Sequence, residues 1–263
     1  MTSETPRVVA EAIRGRGRIT DDDVRALRRA IWGDGQPADH AAAEALLALQ
    51  REVLERSAAW ADLYVEALSE FFLDDDTVHE VGAELLAREV VADGEVEDAT
   101  ELRLLLNLVF RSRRCPPGLV ALARDALRAS VVASAASLYG KGPRRPGAVD
   151  ADDVEAIRRL VYAAGGADGI QVGEGEALWL AEIDRATAAA DNAPAWRELF
   201  VKVLAMYLLL GRGNGEHVDP ATVAWIREHL DGGRGLTPNG RALVEYLRRE
   251  ARSSDPALTA LAA

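Results

Sequence analysis

The chain has 263 residues, of which 49% are hydrophobic and 28% charged, and its formal net charge is -12. This composition is typical of a globular protein and excludes a disordered or collagen-like chain. Acidic residues exceed basic ones in both halves. Because phosphate groups attract net basic surfaces, the charge argues against a primary role in binding nucleic acid or an anionic membrane surface.

The first 18 residues are polar and contain no apolar signal segment. The longest apolar stretch, near Leu199–Leu210, is shorter than the roughly 20 residues that a membrane-spanning helix needs. One cysteine, Cys115, cannot form an internal disulfide. We therefore expect a cytoplasmic protein that does not insert into a membrane.

The chain contains an internal repeat. Residues 19–32 (ITDDDVRALRRAIW) and 149–162 (VDADDVEAIRRLVY) share six identities in fourteen positions at a constant offset of 130. The match resumes further along, where Glu44 pairs with Glu176 at an offset of 132 and Trp60 pairs with Trp196 at an offset of 136. The predicted organisation follows in chain order: an N-terminal extension (1–18), a first helical repeat (19–139), a Gly/Pro linker (140–148), a second helical repeat (149–253) and a C-terminal tail (254–263).

Each repeat has the apolar spacing of amphipathic helices. Val24, Leu27 and Ile31 lie at i, i+3 and i+7, and similar stripes follow at 60–71, 78–85 and 102–109. No segment shows sustained alternation of polar and apolar residues, so no strand is predicted. Helix starts are expected at Asp21 or Asp22, Asp76, Asp98 and Asp219-Pro220. The predicted fold is all-α, with two tandem helical bundles related by pseudo-twofold symmetry.

Acidic turns recur between the predicted helices, as Asp34-Gly35, Asp93-Gly94 and Asp168-Gly169, with a degenerate copy at Asn214-Gly215. Two interpretations remain open. The turns could hold a divalent cation, with Ca²⁺ the first choice because it prefers six to eight oxygen ligands. Alternatively, glycine closes a helix in the left-handed conformation and aspartate satisfies nearby backbone groups. The candidate ligands are Asp93, Glu95, Asp168 and Glu176.

Two of these turns carry a family resemblance. The segment from Ala92 to Val96 with Glu101, and the segment from Ala167 to Ile170 with Glu176, resemble the TerB-like bacterial domains named for tellurite resistance. The resemblance implies an all-helical fold, an acidic metal-binding face and a link to stress response or membrane-associated complexes. It implies no catalytic activity. Gln36-Pro37 and Asn214 depart from the pattern, so a fourfold metal site is not expected.

Three further candidates are weaker. His40 and Glu44 lie four residues apart and could form a transition-metal pair, but an exposed helical pair is the favoured interpretation, because Val172 lies where the repeat would place a second histidine. Cys115 has no histidine near it in sequence that could activate a thiol. The aromatic residues have helical spacing, which favours a core role over a ligand pocket.

The sequence thus favours a non-enzymatic binding or adaptor protein with an unidentified protein partner and a possible divalent cation. A metal-free scaffold for protein interactions is the alternative. The third hypothesis is an enzyme with a site between the repeats, although no catalytic motif supports it.

Overall fold

A computed structural model describes residues 5–33, 35–90, 98–133, 138, 145–163, 172–213 and 215–261. The fold is mostly helical, which confirms the predicted fold class at that level. The chain forms two compact units. The first comprises Met1–Ala126 with Leu138–Lys141, and the second comprises Leu127–Ser137 with Gly142–Ala263.

The first unit contains six helices, two short strands and the start of a seventh helix among its described residues. In chain order these are α1 (Pro6–Arg16), β1 (Arg18–Ile19), α2 (Asp21–Trp32), α3 (His40–Glu52), β2 (Glu55–Arg56), α4 (Ala59–Phe72), α5 (Glu80–Val90), α6 (Ala99–Arg111) and α7 (Pro117–Ala133). Helix α7 runs from the first unit into the second.

Helix α4 lies at the centre of the first unit and packs against α2, α3 and α6. Its apolar positions recur every three or four residues, so Trp60, Tyr64 and Leu68 lie on one face and are fully buried. Helix α1 packs against α2 and α3 through Ile13, among other residues. Helix α1, which lies in the predicted N-terminal extension, therefore contributes to the core of this unit.

The second unit begins within α7. Its later elements are α8 (Ala151–Ala163), α9 (Glu174–Thr187), α10 (Pro194–Met206), β3 (His217–Val218), α11 (Pro220–Ile226), α12 (Pro238–Glu250), β4 (Ser253–Ser254) and α13 (Ala257–Ala260). Helix α10 is central and packs against α8, α9 and α12. Two π-helical turns, Tyr207–Gly211 and Arg227–Asp231, extend α10 and α11.

In the part of the chain that the structure describes, four two-residue strands form two parallel pairs, β1 with β2 and β3 with β4. The sequence predicted no strand, because two residues are too few to produce a visible alternation. The first pair joins the segment before α2 to the segment before α4, and the second joins the segment before α11 to the segment after α12. In the first pair, for example, Ser57 N–H donates to the Ile19 carbonyl at 2.9 Å.

The predicted helix starts are confirmed at Asp98 and Asp219, whose side chains cap α6 and α11. Helix α2 begins at Asp21 and is capped by Thr20. The predicted start at Asp76 is wrong. Asp76 instead has a φ of 56° in a tight turn, and α5 begins later, at Glu80. Among the described helices, none has both the length and the apolar character to cross a membrane.

Candidate functional site

The predicted cation ligands fall mostly beyond the part of the chain that can be described. Asp93, Glu95 and Asp168 lie outside the described residues. Glu176 lies in the first turn of α9, where its Oε2 accepts a hydrogen bond from Gly173 N–H at 2.9 Å. This carboxylate therefore caps the helix. Within the described ranges, no cluster of three or more His, Cys, Asp or Glu side chains could hold a metal ion.

Two glycines of Asp-Gly pairs are described, Gly35 and Gly232. Both have left-handed backbone conformations, with φ of 74° and 53°. Gly35 N–H donates to the Trp32 carbonyl at 3.0 Å, and Gly232 N–H donates to the Arg227 carbonyl at 2.8 Å. Gly232 closes the π-helical turn that ends at Asp231, as the structural interpretation of such turns predicts. Gly35 instead lies in a turn beyond Gly33, which is the C-cap of α2.

An open cleft lies between α3 and α5 in the first unit, with a volume of about 320 Å³. Its size is at the lower end of the range for small-molecule sites. Its apolar lining consists of Ala43, Leu47, Ala48, Phe71 and Leu85. The charged or polar side chains His40, Glu44, Arg51, Arg88 and Glu89 complete it.

The polar side chains of this cleft are paired with one another. His40 Nε2 lies 3.2 Å from Glu44 Oε1. Glu89 receives Arg51 at 3.2 Å on one carboxylate oxygen and Arg88 at 3.2 Å on the other. The His40–Glu44 pair, which the sequence suggested as a metal pair, thus forms part of the wall of a cleft. Such pairs hold charged groups in place around an apolar floor.

In the second unit, the side chain of Trp225 on α11 packs against the start of α9 and against the two π-helical turns. The ring of Trp225 is 5.2 Å from that of Tyr207 and 4.8 Å from that of His229, measured between centroids. Its indole N–H donates to Glu174 Oε1 at 2.9 Å. Only 5% of Trp225 is exposed. The polar partner of this indole is therefore a carboxylate at the first position of α9.

A second cavity, of about 490 Å³, lies beside the α9–α10 connection. It is lined by polar groups that include Asp184, Asp191, Arg197 and Glu198. Asp184 is 2% exposed and accepts hydrogen bonds from Trp196, Thr237 and Asn239. Burial raises the pKa of its carboxyl, and these three donors offset part of the rise. With its lone pairs so occupied, Asp184 serves to join α9, α10 and α12.

A comparable polar cluster lies inside the first unit. The indole N–H of Trp60 donates to Gln50 Oε1 at 2.8 Å. Arg56 Nη1 lies 2.6 Å from Asp98 Oδ2. Burial, and then the neighbouring Asp98 carboxylate, raise the pKa of Glu101 to about 7. The surroundings of Glu101 thus make it a perturbed acid within the bundle.

Cys115 is half-buried, and burial raises the pKa of its thiol. A raised pKa reduces the fraction of thiolate near neutral pH, which is the opposite of what a nucleophilic cysteine needs. The structure thus gives this residue no activated character.

Sequence analysis identified His40 and Glu44 but did not find the cleft to which they belong. The missing residues, chiefly Phe71, Leu85 and Glu89, come from two other helices. Leu85 belongs to a predicted apolar stripe, which indicates a buried residue. Its partial exposure, which marks it as part of the cleft, is visible only in the structure.

Comparisons of the chain with models of protein families, with curated proteins and with solved structures return no significant match.

Proposed function

We propose that the chain consists of two copies of one helical unit, and that this unit is of the TerB-like kind. Matching hydrogen bonds support the duplication. At the start of α2, Thr20 and Asp23 bond to each other's backbone N–H, and Asp150 and Asp153 do the same at α8. Gly17 and Gly147, which precede them, have φ of 70° and 76°.

The second half of each unit repeats a further pattern. Arg113 N–H donates to the Asp76 carbonyl, and Arg252 N–H donates to the Glu216 carbonyl. Both acceptor residues have left-handed backbones, with φ of 56° and 69°. A positive φ is uncommon in residues other than glycine, so its recurrence with the same bond supports common ancestry of the two units.

The contacts also support a revised alignment of α3 with α9. The two indoles at the starts of α4 and α10 donate to Gln50 and Asp184. These acceptors differ by 134 in residue number, whereas the sequence match used 132. With the revised offset, the first residues of the helices, His40 and Glu174, correspond.

The function proposed for this framework is that of a non-enzymatic, cytoplasmic binding protein with a protein partner. The observation that carries the proposal is the α3–α5 cleft, which combines an apolar floor with charged side chains that are already paired. The ion pairs hold these side chains in fixed positions around the apolar floor, and a few placed polar groups around an apolar surface are typical of a binding pocket. Asp184 and Cys115 fit the same view, since one is fully hydrogen-bonded and the other has a raised pKa.

A fragment titration tests the proposal. The intact chain is titrated with millimolar indole, cyclohexanol, benzoate and guanidinium while two-dimensional NMR spectra are recorded. At least one probe should shift the signals of α3 and α5, including those of Leu47 and Leu85. If no probe shifts these signals, the cleft is not a binding site and the proposal fails.

A divalent cation at the Asp-Gly turns is the second candidate. Its support is the position of Glu176, which is fixed at the start of α9, a few residues after Asp168. Thermal melts in EDTA and in millimolar Ca²⁺, Mg²⁺, Mn²⁺ or Zn²⁺ test it. Asp93→Asn with Asp168→Asn should abolish a cation-induced rise in Tm, whereas Asp231→Asn, beside the helix-closing Gly232, should preserve it. No rise with any ion would refute this candidate.

A further inference from the structure

We propose that the α3–α5 cleft is a receptor for a planar aromatic ring, of the size of an indole, that carries a hydrogen-bond donor on its edge. This inference rests on the proposed binding function and adds the chemical class of the ligand. The ring can belong to a free small molecule or to a tryptophan side chain, and the experiment below separates these sources.

The first step compares α5 with α11. Buried residues recur at matching places in and just before the two helices, with Val78, Ala83 and Leu86 in the first unit and Val218, Val223 and Ile226 in the second. The residue numbers in each pair differ by 140. The same offset makes Leu85 the counterpart of Trp225. The first unit therefore has a smaller, branched side chain where the second unit has an indole.

The second step compares the surroundings. Trp225 contacts Glu174, Tyr207 and His229 in the second unit. Their counterparts in the first unit are His40 at the start of α3, Phe71 near the end of α4 and Glu89 near the end of α5. All three of these counterparts line the open cleft. The cleft thus occupies the position that an indole fills in the other unit.

The third step concerns chemistry. The ring of His40 lies 5.9 Å from that of Phe71, between centroids, so the cleft already has an aromatic wall. A bound aromatic ring gains from close aromatic neighbours in addition to the burial of its area. Glu44 and Glu89 supply carboxylate oxygens that can accept from an N–H or O–H at the ring edge, as Glu174 does from Trp225. An aliphatic ligand would use the floor but neither of these features.

The experiment measures binding of indole and of N-acetyl-L-tryptophanamide to the intact chain by NMR titration, with cyclohexanol as the aliphatic probe. Leu85→Trp fills the cleft with the side chain of the second unit and should weaken indole binding by at least about tenfold. The matched control is Val81→Trp, one turn earlier on α5, where the side chain is 77% exposed. This control should change the affinity by less than about twofold.

Two further variants keep the test decisive if Leu85→Trp fails to fold. Leu85→Phe fills part of the cleft and should weaken indole binding to a smaller degree. Trp225→Leu removes the indole from the second unit and should create a new set of indole-induced shifts in α9 and α11. The two variants probe the two units independently.

Each outcome has a distinct meaning. Binding of both aromatic probes supports a tryptophan side chain as the source, and binding of indole alone supports a free small molecule. Equal indole affinity in wild type and Leu85→Trp overturns the inference. If cyclohexanol binds and indole does not, the cleft remains a binding site while the aromatic assignment fails. If no probe shifts cleft signals, both proposals fail.

Discussion

Replacing Glu101 with glutamine should make the protein more stable at neutral and alkaline pH. Burial and the neighbouring Asp98 carboxylate raise the pKa of Glu101 from 4.5 to about 7 in the native state. The native state therefore holds this proton more tightly than the unfolded chain does. The resulting contribution to stability is fully present below the unfolded pKa of about 4.5 and is lost as the pH rises through about 7.

The size of the effect follows from the two pKa values. Their difference corresponds to about 3 kcal/mol, since each unit of pKa is worth about 1.4 kcal/mol. Because Glu101 is partly exposed, solvent screening reduces this figure, and we expect about 1–2 kcal/mol. Glutamine keeps the shape and cannot ionise. The variant should match the wild type near pH 4.5 and exceed it by about 1–2 kcal/mol at pH 8.

Urea unfolding followed by tryptophan fluorescence, at several pH values between 5 and 8, measures this difference. Glu84→Gln on the exposed side of α5 is the control and should show little change at any of these values. Of the charged groups near Glu101, Asp98 raises its pKa and Arg56 lowers it. Burial raises the pKa of Asp98, but hydrogen bonds from Arg56 and Thr100 lower it further, so the net shift is downward. The contribution of Asp98 to the free energy of unfolding is therefore lost only at more acidic pH. A difference that is constant with pH, or largest at pH 5, would refute the assignment.

Three other substitutions test the framework by urea unfolding. Asp184→Ala leaves three donors, of which Trp196 and Asn239 are buried, without their acceptor and should cost about 3–5 kcal/mol, so a loss below about 1 kcal/mol would contradict its structural role. Gly147→Ala places a side chain at a φ of 76° and should cost about 1–2 kcal/mol, whereas Gly118→Ala, in an open helical position, should be neutral or stabilising. Asp219→Ala removes the cap that accepts from Thr222 N–H at 2.7 Å and should cost about 1 kcal/mol, and an unchanged midpoint would show that this cap is dispensable.

The helical class of the fold could be predicted because helix signals are local. Apolar stripes and capping side chains such as Asp98 and Asp219 act within one or two turns of the chain. The failure at Asp76 has a long-range cause. Its carbonyl accepts from Arg113 N–H and its carboxylate lies 3.3 Å from Arg113 Nε, so a partner 37 residues away in the numbering holds it in a turn.

The cleft could be predicted only in part, for a similar reason. His40 and Glu44 form a local pair on one helix face, which the sequence identifies directly. Phe71, Leu85 and Glu89 join them only through packing. The register also matters, because an offset of 132 paired His40 with Val172, whereas the hydrogen bonds of the two tryptophans support 134. A shift of two residues on a helix moves a side chain to a different face.

The two units differ in the size of one side chain next to packed helices, which is leucine at position 85 and tryptophan at position 225. Filling a gap between packed helices with a larger ring adds dispersion contacts and buries apolar area, so the arrangement around Trp225 is the more stable solution. Leu85 leaves the corresponding space open while the capping bonds at Thr20 and Asp150 stay alike in the two units. Under the duplication proposed above, the first unit keeps a less stable filling within a matching framework. This supports the proposed binding site, because a ligand would supply the contacts that the protein omits.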